Sequence, residues 1–379
     1  MPDVVELLSR LIGFDTVSRK SNRALIDFVA DYLDGLGARC TLTHNPEGTK
    51  SNLFATVGPE RSGGFLLAGH TDVVPTEGQD WTSDPFRATA KNDAIYGRGA
   101  CDMKGFIAVA LSLIPELAAS KRDRPVHLAL TYDEEVGCFG AAQLAGMIAG
   151  LPYRPRFCIV GEPTSMAVVN GHKGKLSLDC SVRGTGGHSA HNDRGVNAVE
   201  IASEIIVRLR AMQKRLSGGP LDARFDPPFT TIHTGQISGG IARNIVPRDC
   251  RFEVEIRNLP GQDPAALQRE IEAFAQTLLA GEMRNIAADT DIRLDAQSCI
   301  PALAPEGEDE DTARALAVTG ANHCNVVSFA TEAGLYQRAG VPTIVCGPGD
   351  IRQAHRPNEF VTLDQLQSCG AFLRRMIAA

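Results

Sequence analysis

Four short apolar runs, Phe65 to Ala68, Val126 to Thr131, Phe157 to Val160 and Thr343 to Cys346, each break off into a polar cluster: GHTD, YDEE, GEPT and GPGDIRQAH. A short apolar run closed by turn-forming residues reads as a buried strand. If the four strands run parallel, their clusters hang off one edge of one sheet, where the ligands of open α/β sheets bind. The feature therefore constrains the fold to an α/β sheet and any site to a single sheet edge.

The stretches between these strands are helical in period, beginning with Val4 to Ile12 and Ala24 to Leu36. That alternation of helix and strand continues to about residue 172, as an α/β sheet requires. The character then changes: strand Lys175 to Arg183, helix Val196 to Gln213, strands Thr230 to Ile237 and Cys250 to Arg257, helix Pro264 to Ala280, strand Thr290 to Asp295. This β-α-β-β-α-β order is that of a ferredoxin-like unit. Because the fourth cluster-bearing strand returns only afterwards, the small unit reads as an insertion. The expected organisation is a main domain of residues 1–174 and 298–379 with residues 175–297 inserted. At 379 residues the chain suits two units, given roughly 150 residues per domain.

Composition excludes several classes. With 43% hydrophobic and 22% charged residues the chain has the balance of a globular protein. Its longest apolar stretch, Phe106 to Ile114, falls far short of the roughly 20 residues of a spanning helix. The opening MPDVVELLSRLIGF carries early acids and reads as an amphipathic helix, not an export signal, so a cytoplasmic location is expected. Ten cysteines are scattered from Cys40 to Cys369 without a CxxC pair, which predicts reduced, mostly buried thiols. A net charge of −7 argues against nucleic acid and in favour of a small-molecule substrate. The acidic run at 306–311 reads as a solvated loop or helix start.

Five residues with metal-binding side chains lie at or just beyond the strand ends or open a helix: His70, Asp102, Glu135, Glu162 and His355. Imidazole and carboxylate are the non-thiolate donors of zinc, and such a mixture belongs to catalytic rather than structural sites. By contrast His44, His127 and His323 stand alone and read as surface or core residues. In an extended segment Asp72 faces the same side as His70, so its carboxylate can orient that ring, although it can equally cap a turn. Asp102, in GRGACDMKG, stands at the N-cap of a helix over Met103 to Leu117. It is either a plain cap or a carboxylate whose two oxygens bridge two cations about 3.5 to 4 Å apart. Glu134 and Glu135 leave their strand in opposite directions, which leaves one for a metal and one for a base, or else a plain surface acidic pair. GRGACD lacks the third glycine of a dinucleotide fingerprint, and only the sheet pattern favours a dehydrogenase. A metal-binding or sensing protein without catalysis is the other alternative.

In order along the chain, GHTDVVP, YGRGACDMKG, TYDEEVG, GEPT, GGHSAH, ARNIVP, FEVEIR and AHRPNEF resemble the zinc-dependent aminoacylase and carboxypeptidase family. The resemblance spans nearly the whole chain and implies a zinc-exopeptidase-like mixed sheet flanked by helices. It also implies a cofactor of two divalent ions, zinc first and cobalt as an alternative. His70 and Glu162 would hold one ion and Glu135 and His355 the other, with Asp102 as the bridge and Asp72 orienting His70. Glu134 would be the general base, taking a proton from the attacking water and passing it to the leaving amine. The ferredoxin-like insertion would be a lid and dimerisation domain of a homodimer, His188 reaching the partner's site to steady the oxyanion while His191 stands by. Asn244 and Arg257 match substrate-binding positions. Arg257 is suited to a bidentate grip on a carboxylate, or alternatively to a strand-surface ion pair. Within the family, WTSDPF, GEPTSM, NGHKGK and GVNA point to removal of an acetyl group from a small N-acylated amino acid, with succinyl and peptide amides as the alternatives. Thr331 and Glu332 of the TEAG segment are either readers of a cationic group on the substrate or a helix start.

Overall fold

The computed structural model describes residues 3–305, 307 and 309–378. The chain divides into two compact units, one of Met1–Gly171, Leu303–Val326 and Thr331–Ala379, the other of His172–Ala302 with Val327–Ala330. The second unit thus opens a few residues before 175 and closes a few after 297. The reason is local: its last strand, Asp291–Ile300, runs beyond Asp295.

In the first unit an eight-stranded mixed sheet carries the four apolar runs as neighbours, in the spatial order 126–131, 65–70, 157–163, 343–347. All three contacts among these four are parallel. Every residue of these strands is buried, as continuous apolar runs in a sheet covered on both faces should be. Their carboxyl ends lie side by side, as required for the four polar clusters to share one edge. Strands Arg39–His44 and Ser51–Val57 extend the sheet antiparallel on one side, and Val169–His172 and Asn325–Val327 on the other.

Helix Lys104–Ala119 is apolar around its whole circumference and is buried among its neighbours, as an all-round hydrophobic helix must be. It lies against the sheet because Gly161 makes room: a Cβ there would stand 1.9 Å from the Phe106 ring. Helix Val4–Ile12 forms as expected, whereas the second helix spans Arg23–Asp34. Of the acidic run, Glu306 and Glu308 lie outside the described residues. Asp309 caps helix Glu310–Thr319 by accepting the Thr312 N–H, so this part is a helix start. Most of the cysteines are buried, and no described helix is long and apolar enough to cross a membrane.

The second unit is a four-stranded antiparallel sheet in the order 231–239, 249–257, 175–183, 291–300, with helices Ala198–Leu216 and Pro264–Leu278. The spatial order fourth, first, third, second is that of a ferredoxin-like unit. Strands 175–183 and 249–257 alternate buried and exposed residues along most of their length, so one face packs on the helices and the other meets solvent.

Candidate metal centre

At the shared sheet edge of the first unit, five side chains converge. Among the described residues, two groups bring ligand atoms within 4.8 Å of one another: His70, Asp102 and Glu162, and Asp102, Glu135 and His355. Asp102 belongs to both. Its Oδ1 lies 2.9 Å from His70 Nε2 and its Oδ2 lies 3.4 Å from His355 Nε2. Glu162 Oε1 stands 3.7 Å from His70 Nε2, and Glu135 Oε2 stands 3.1 Å from His355 Nε2.

Each ligand-type residue is delivered by local structure. His70 ends strand 65–70 and Glu162 sits near the end of strand 157–163. Glu134 and Glu135 occupy a turn between strand 126–131 and helix Phe139–Ala149. Asp133 and Cys138 flank that turn at φ 56 each, and His355 itself has φ 63. Left-handed backbone at non-glycine residues costs of order 1 kcal/mol or more and gathers at functional sites. Helix 104–119 starts at Lys104 with Met103 as its cap, so Asp102, expected at the cap, lies one residue before it. Its carboxylate is thereby turned to the histidines and not to the helix.

The His70 ring is oriented by main chain. Its Nδ1 lies 2.9 Å from the Asp72 carbonyl oxygen, whereas the nearest Asp72 carboxylate oxygen is 3.7 Å away. The expected carboxylate–imidazole hydrogen bond is replaced because the chain leaves the strand after His70, and the same-side rule of extended backbone ends there. The Asp72 carboxylate instead accepts the Ser18 hydroxyl at 2.7 Å and the Glu134 N–H at 3.1 Å. With Nδ1–H donating to a carbonyl, the neutral ring turns the Nε2 lone pair toward two carboxylates. That arrangement of acceptors facing acceptors wants a cation, or protons in its place.

The electrostatics describe the same demand. Burial disfavours charge on His70, but the hydrogen bond with Asp102 and the charges of Glu162, Asp102 and Glu134 raise it well above the ordinary histidine value. Burial alone would raise Asp102; hydrogen bonds with His355 and His70 outweigh it and hold the carboxyl well below the usual range. Hydrogen bonds to Asp102 and Glu135 push His355 up to about 10. Glu162 is raised well above its usual value, first by burial and then by the charge of Asp102. Burial likewise pushes Glu134 up to about 8, with Glu135, Asp102 and Asp72 adding to the rise. Without metal, protons compensate a surplus of buried carboxylate, and the donor set fits divalent cations well.

Other expected site residues are placed elsewhere. Glu332 is fully buried, accepting the Thr131 hydroxyl at 2.7 Å and the Tyr336 hydroxyl at 3.4 Å, and stands at the cap of helix Ala333–Arg338. Of its two readings, the helix start is the one in the structure, and burial pushes its carboxyl up to about 7. In the second unit a short ribbon pairs His188 with Ile245, and Asn244 accepts the Ser189 N–H. His188 is exposed, its Nδ1 accepting the Ala190 N–H at 3.1 Å. Arg257 pairs with Glu255 through Nε at 2.7 Å and donates to the Ser328 carbonyl. The strand-surface ion pair expected as its alternative is therefore present. Two site features had no signal in the motif reading: the Cys138 thiol donating to Glu134 Oε1 at 3.4 Å, and a buried Arg98–Glu359 pair.

Known proteins share this fold and much of this sequence. An acetylornithine deacetylase of Myxococcus xanthus is 39% identical over 383 aligned residues, covering 100% of this chain and 97% of that protein. A metallo-carboxypeptidase of the M20 family from Sulfolobus solfataricus superposes with a TM-score of 0.78 at 18% identity, covering 100% of this chain and 99% of its own. A dinuclear metal-binding peptidase of the M20 family from Bacillus subtilis gives a TM-score of 0.65 at 14% identity, covering 99% and 96%. The model of peptidase family M20/M25/M40 matches residues 66–379, and the chain belongs to that family.

Proposed function

We propose that the chain is a metal-dependent amidohydrolase that cleaves N2-acetyl-L-ornithine to L-ornithine and acetate. The observation that carries the reaction class is the division of Asp102, one oxygen facing His70 and the other His355. On this reading His70 and Glu162 would hold one divalent ion and Glu135 and His355 a second, with Asp102 shared between the two groups. Zinc is the first choice and cobalt the second, since His and carboxylate donors accept both. When bound, such ions polarise a carbonyl and lower the pKa of a water from about 16 to about 7.

The chain's own groups do the rest. Glu134, held by its backbone on Asp72, accepts a proton from the attacking water and returns it to the leaving amine nitrogen. Asp72 and the carbonyl it carries keep His70 in one tautomer. The substrate assignment is supported by the Myxococcus relative and by the local sequence likenesses, WTSDPF through GVNA. His188 is read as the oxyanion contact in the partner's site, Asn244 as a substrate contact, and Arg257 as a carboxylate grip that exchanges Glu255 for the substrate. The second unit is read as lid and dimer contact of a cytoplasmic homodimer.

The test is acetate release from N2-acetylornithine beside succinate release from N-succinyl-diaminopimelate and cleavage of a dipeptide panel, with metal counted per chain. Two ions, inactivation by chelator and preference for the acetyl substrate are expected. Faster turnover of the succinyl compound would reassign the substrate, and full activity without metal would overturn the reaction class.

A further inference from the structure

Glu359, the last acid of the AHRPNEF motif, is 1% exposed. Its Oε1 accepts two backbone N–H groups, those of Cys101 at 2.8 Å and Asp102 at 3.0 Å, while its Oε2 accepts Arg98 Nη1 at 2.7 Å. Arg98, equally buried, spreads its two Nη groups over the loops around it. They reach the Arg356 and Pro75 carbonyls and the Gln79 amide oxygen, and its guanidinium lies 5.0 Å from the Trp81 ring centroid. Gln79 in turn donates to the backbone carbonyl of His355 at 3.0 Å.

These bonds converge on the two residues that face each other across the candidate metal centre. Asp102 and Cys101 precede helix 104–119, so their N–H groups have no intrahelical acceptor; Glu359 supplies it. A buried ion pair is weak evidence for stability, because an apolar pair of similar volume is often as good. What an apolar pair cannot do is accept the N–H of Asp102 and tie the same cluster to the His355 loop. Partners behind metal ligands fix ligand direction, and losing one costs about 10- to 100-fold in metal affinity.

We infer that Arg98 and Glu359 form a buried clamp that sets the positions of Asp102 and His355 relative to each other, acting as positioning residues for the metal centre. The inference rests on the reading of Asp102 and His355 as ligands. It extends the site to a second layer of residues that never touch substrate.

The experiment titrates metal-free full-length protein with zinc against a chromophoric chelator, for wild type, Glu359→Gln and the doubly neutral Arg98→Met/Glu359→Gln. Thermal unfolding of the metal-free proteins controls for folding, and kcat and KM are measured on N2-acetylornithine. Wild type is expected to bind two ions. Both variants are expected to bind at least one of them about 10- to 100-fold more weakly, with kcat falling and KM within about threefold of wild type. The double variant leaves no unpaired buried charge, so it serves if Glu359→Gln does not fold. Gln79→Leu, at a half-buried position, removes the tie to the His355 carbonyl together with the Arg98 and Trp81 bonds to the same amide, leaves the Glu359 bonds in place, and is expected to weaken zinc by a smaller factor. Folded variants with wild-type zinc affinity, Gln79→Leu included, overturn the clamp. Wild type that takes up no zinc overturns instead the metal reading beneath it.

Discussion

The carboxylate of Asp72 holds the backbone of Glu134: its Oδ1 accepts the Glu134 N–H at 3.1 Å, while Oδ2 lies 3.4 Å from the Glu135 N–H. One buried aspartate therefore sets two things, the His70 ring through its carbonyl and the acidic turn through its side chain. Asp72→Asn keeps the shape but turns a neutral amide toward those N–H groups. We expect kcat to fall about 10- to 100-fold with KM little changed, as for other groups behind a metal site. Steady-state kinetics decide it, and an unaltered kcat would show that the turn is held by other means.

Glu134→Gln removes the proposed proton acceptor while leaving the five candidate ligand residues untouched. Loss of a general base costs typically 10²- to 10⁴-fold, so kcat should fall by about that factor. Metal content by elemental analysis should stay at the wild-type value. A variant that keeps its turnover would require another base.

Acid sensitivity should come partly from His127, far from the site in function. Its ring stacks on Phe54 at 5.3 Å between centroids and pairs with the Thr56 hydroxyl. Burial, with Arg39 adding to it, lowers its pKa from 6.5 to about 4. The unfolded chain thus binds the proton first, so stability is constant in this respect above pH 6.5 and drains away as pH falls toward 4. Between pH 7 and pH 5 the loss is about 2 kcal/mol. Urea unfolding of His127→Phe at the two pH values should show a fall smaller by roughly that amount; an equal fall in both proteins would contradict it.

If His188 serves the other protomer's site, two inactive variants should rescue each other. Co-expressed Glu134→Gln and His188→Ala chains form mixed dimers in which one of the two sites has both residues intact. Random pairing then yields roughly a quarter of wild-type activity. Activity no higher than that of the two parents would mean that His188 acts within its own chain, or not at all.

Much of the site can be read from the chain because its candidate ligands are tied to strand ends. A buried strand announces itself by an apolar run, and the residue that closes the run must sit at the sheet edge. Hence His70, Glu135, Glu162 and His355 could be named in advance, and the structure brings all four together with Asp102. The Glu134 and Glu135 pair was legible as two acids, not as a turn pinned by Asp72, because backbone N–H groups leave no mark in a sequence. Arg257 shows the reverse problem: a motif position and a surface ion pair use the same residue type, and only coordinates reveal Glu255 beside it.

By itself the sequence determined the residue types, the strand ends that carry them and the order of elements in both units, since these follow from local periodicity and turn chemistry. Tertiary structure decided which oxygen of Asp102 faces which histidine, that His70 leans on a carbonyl and not a carboxylate, and that Glu332 is buried beside Thr131. It also decided that Glu359, 257 positions from Asp102 in the chain, accepts the Asp102 N–H. Such contacts join segments far apart in sequence, and their energies depend on distances of a few tenths of an ångström, which no pattern of residue types encodes.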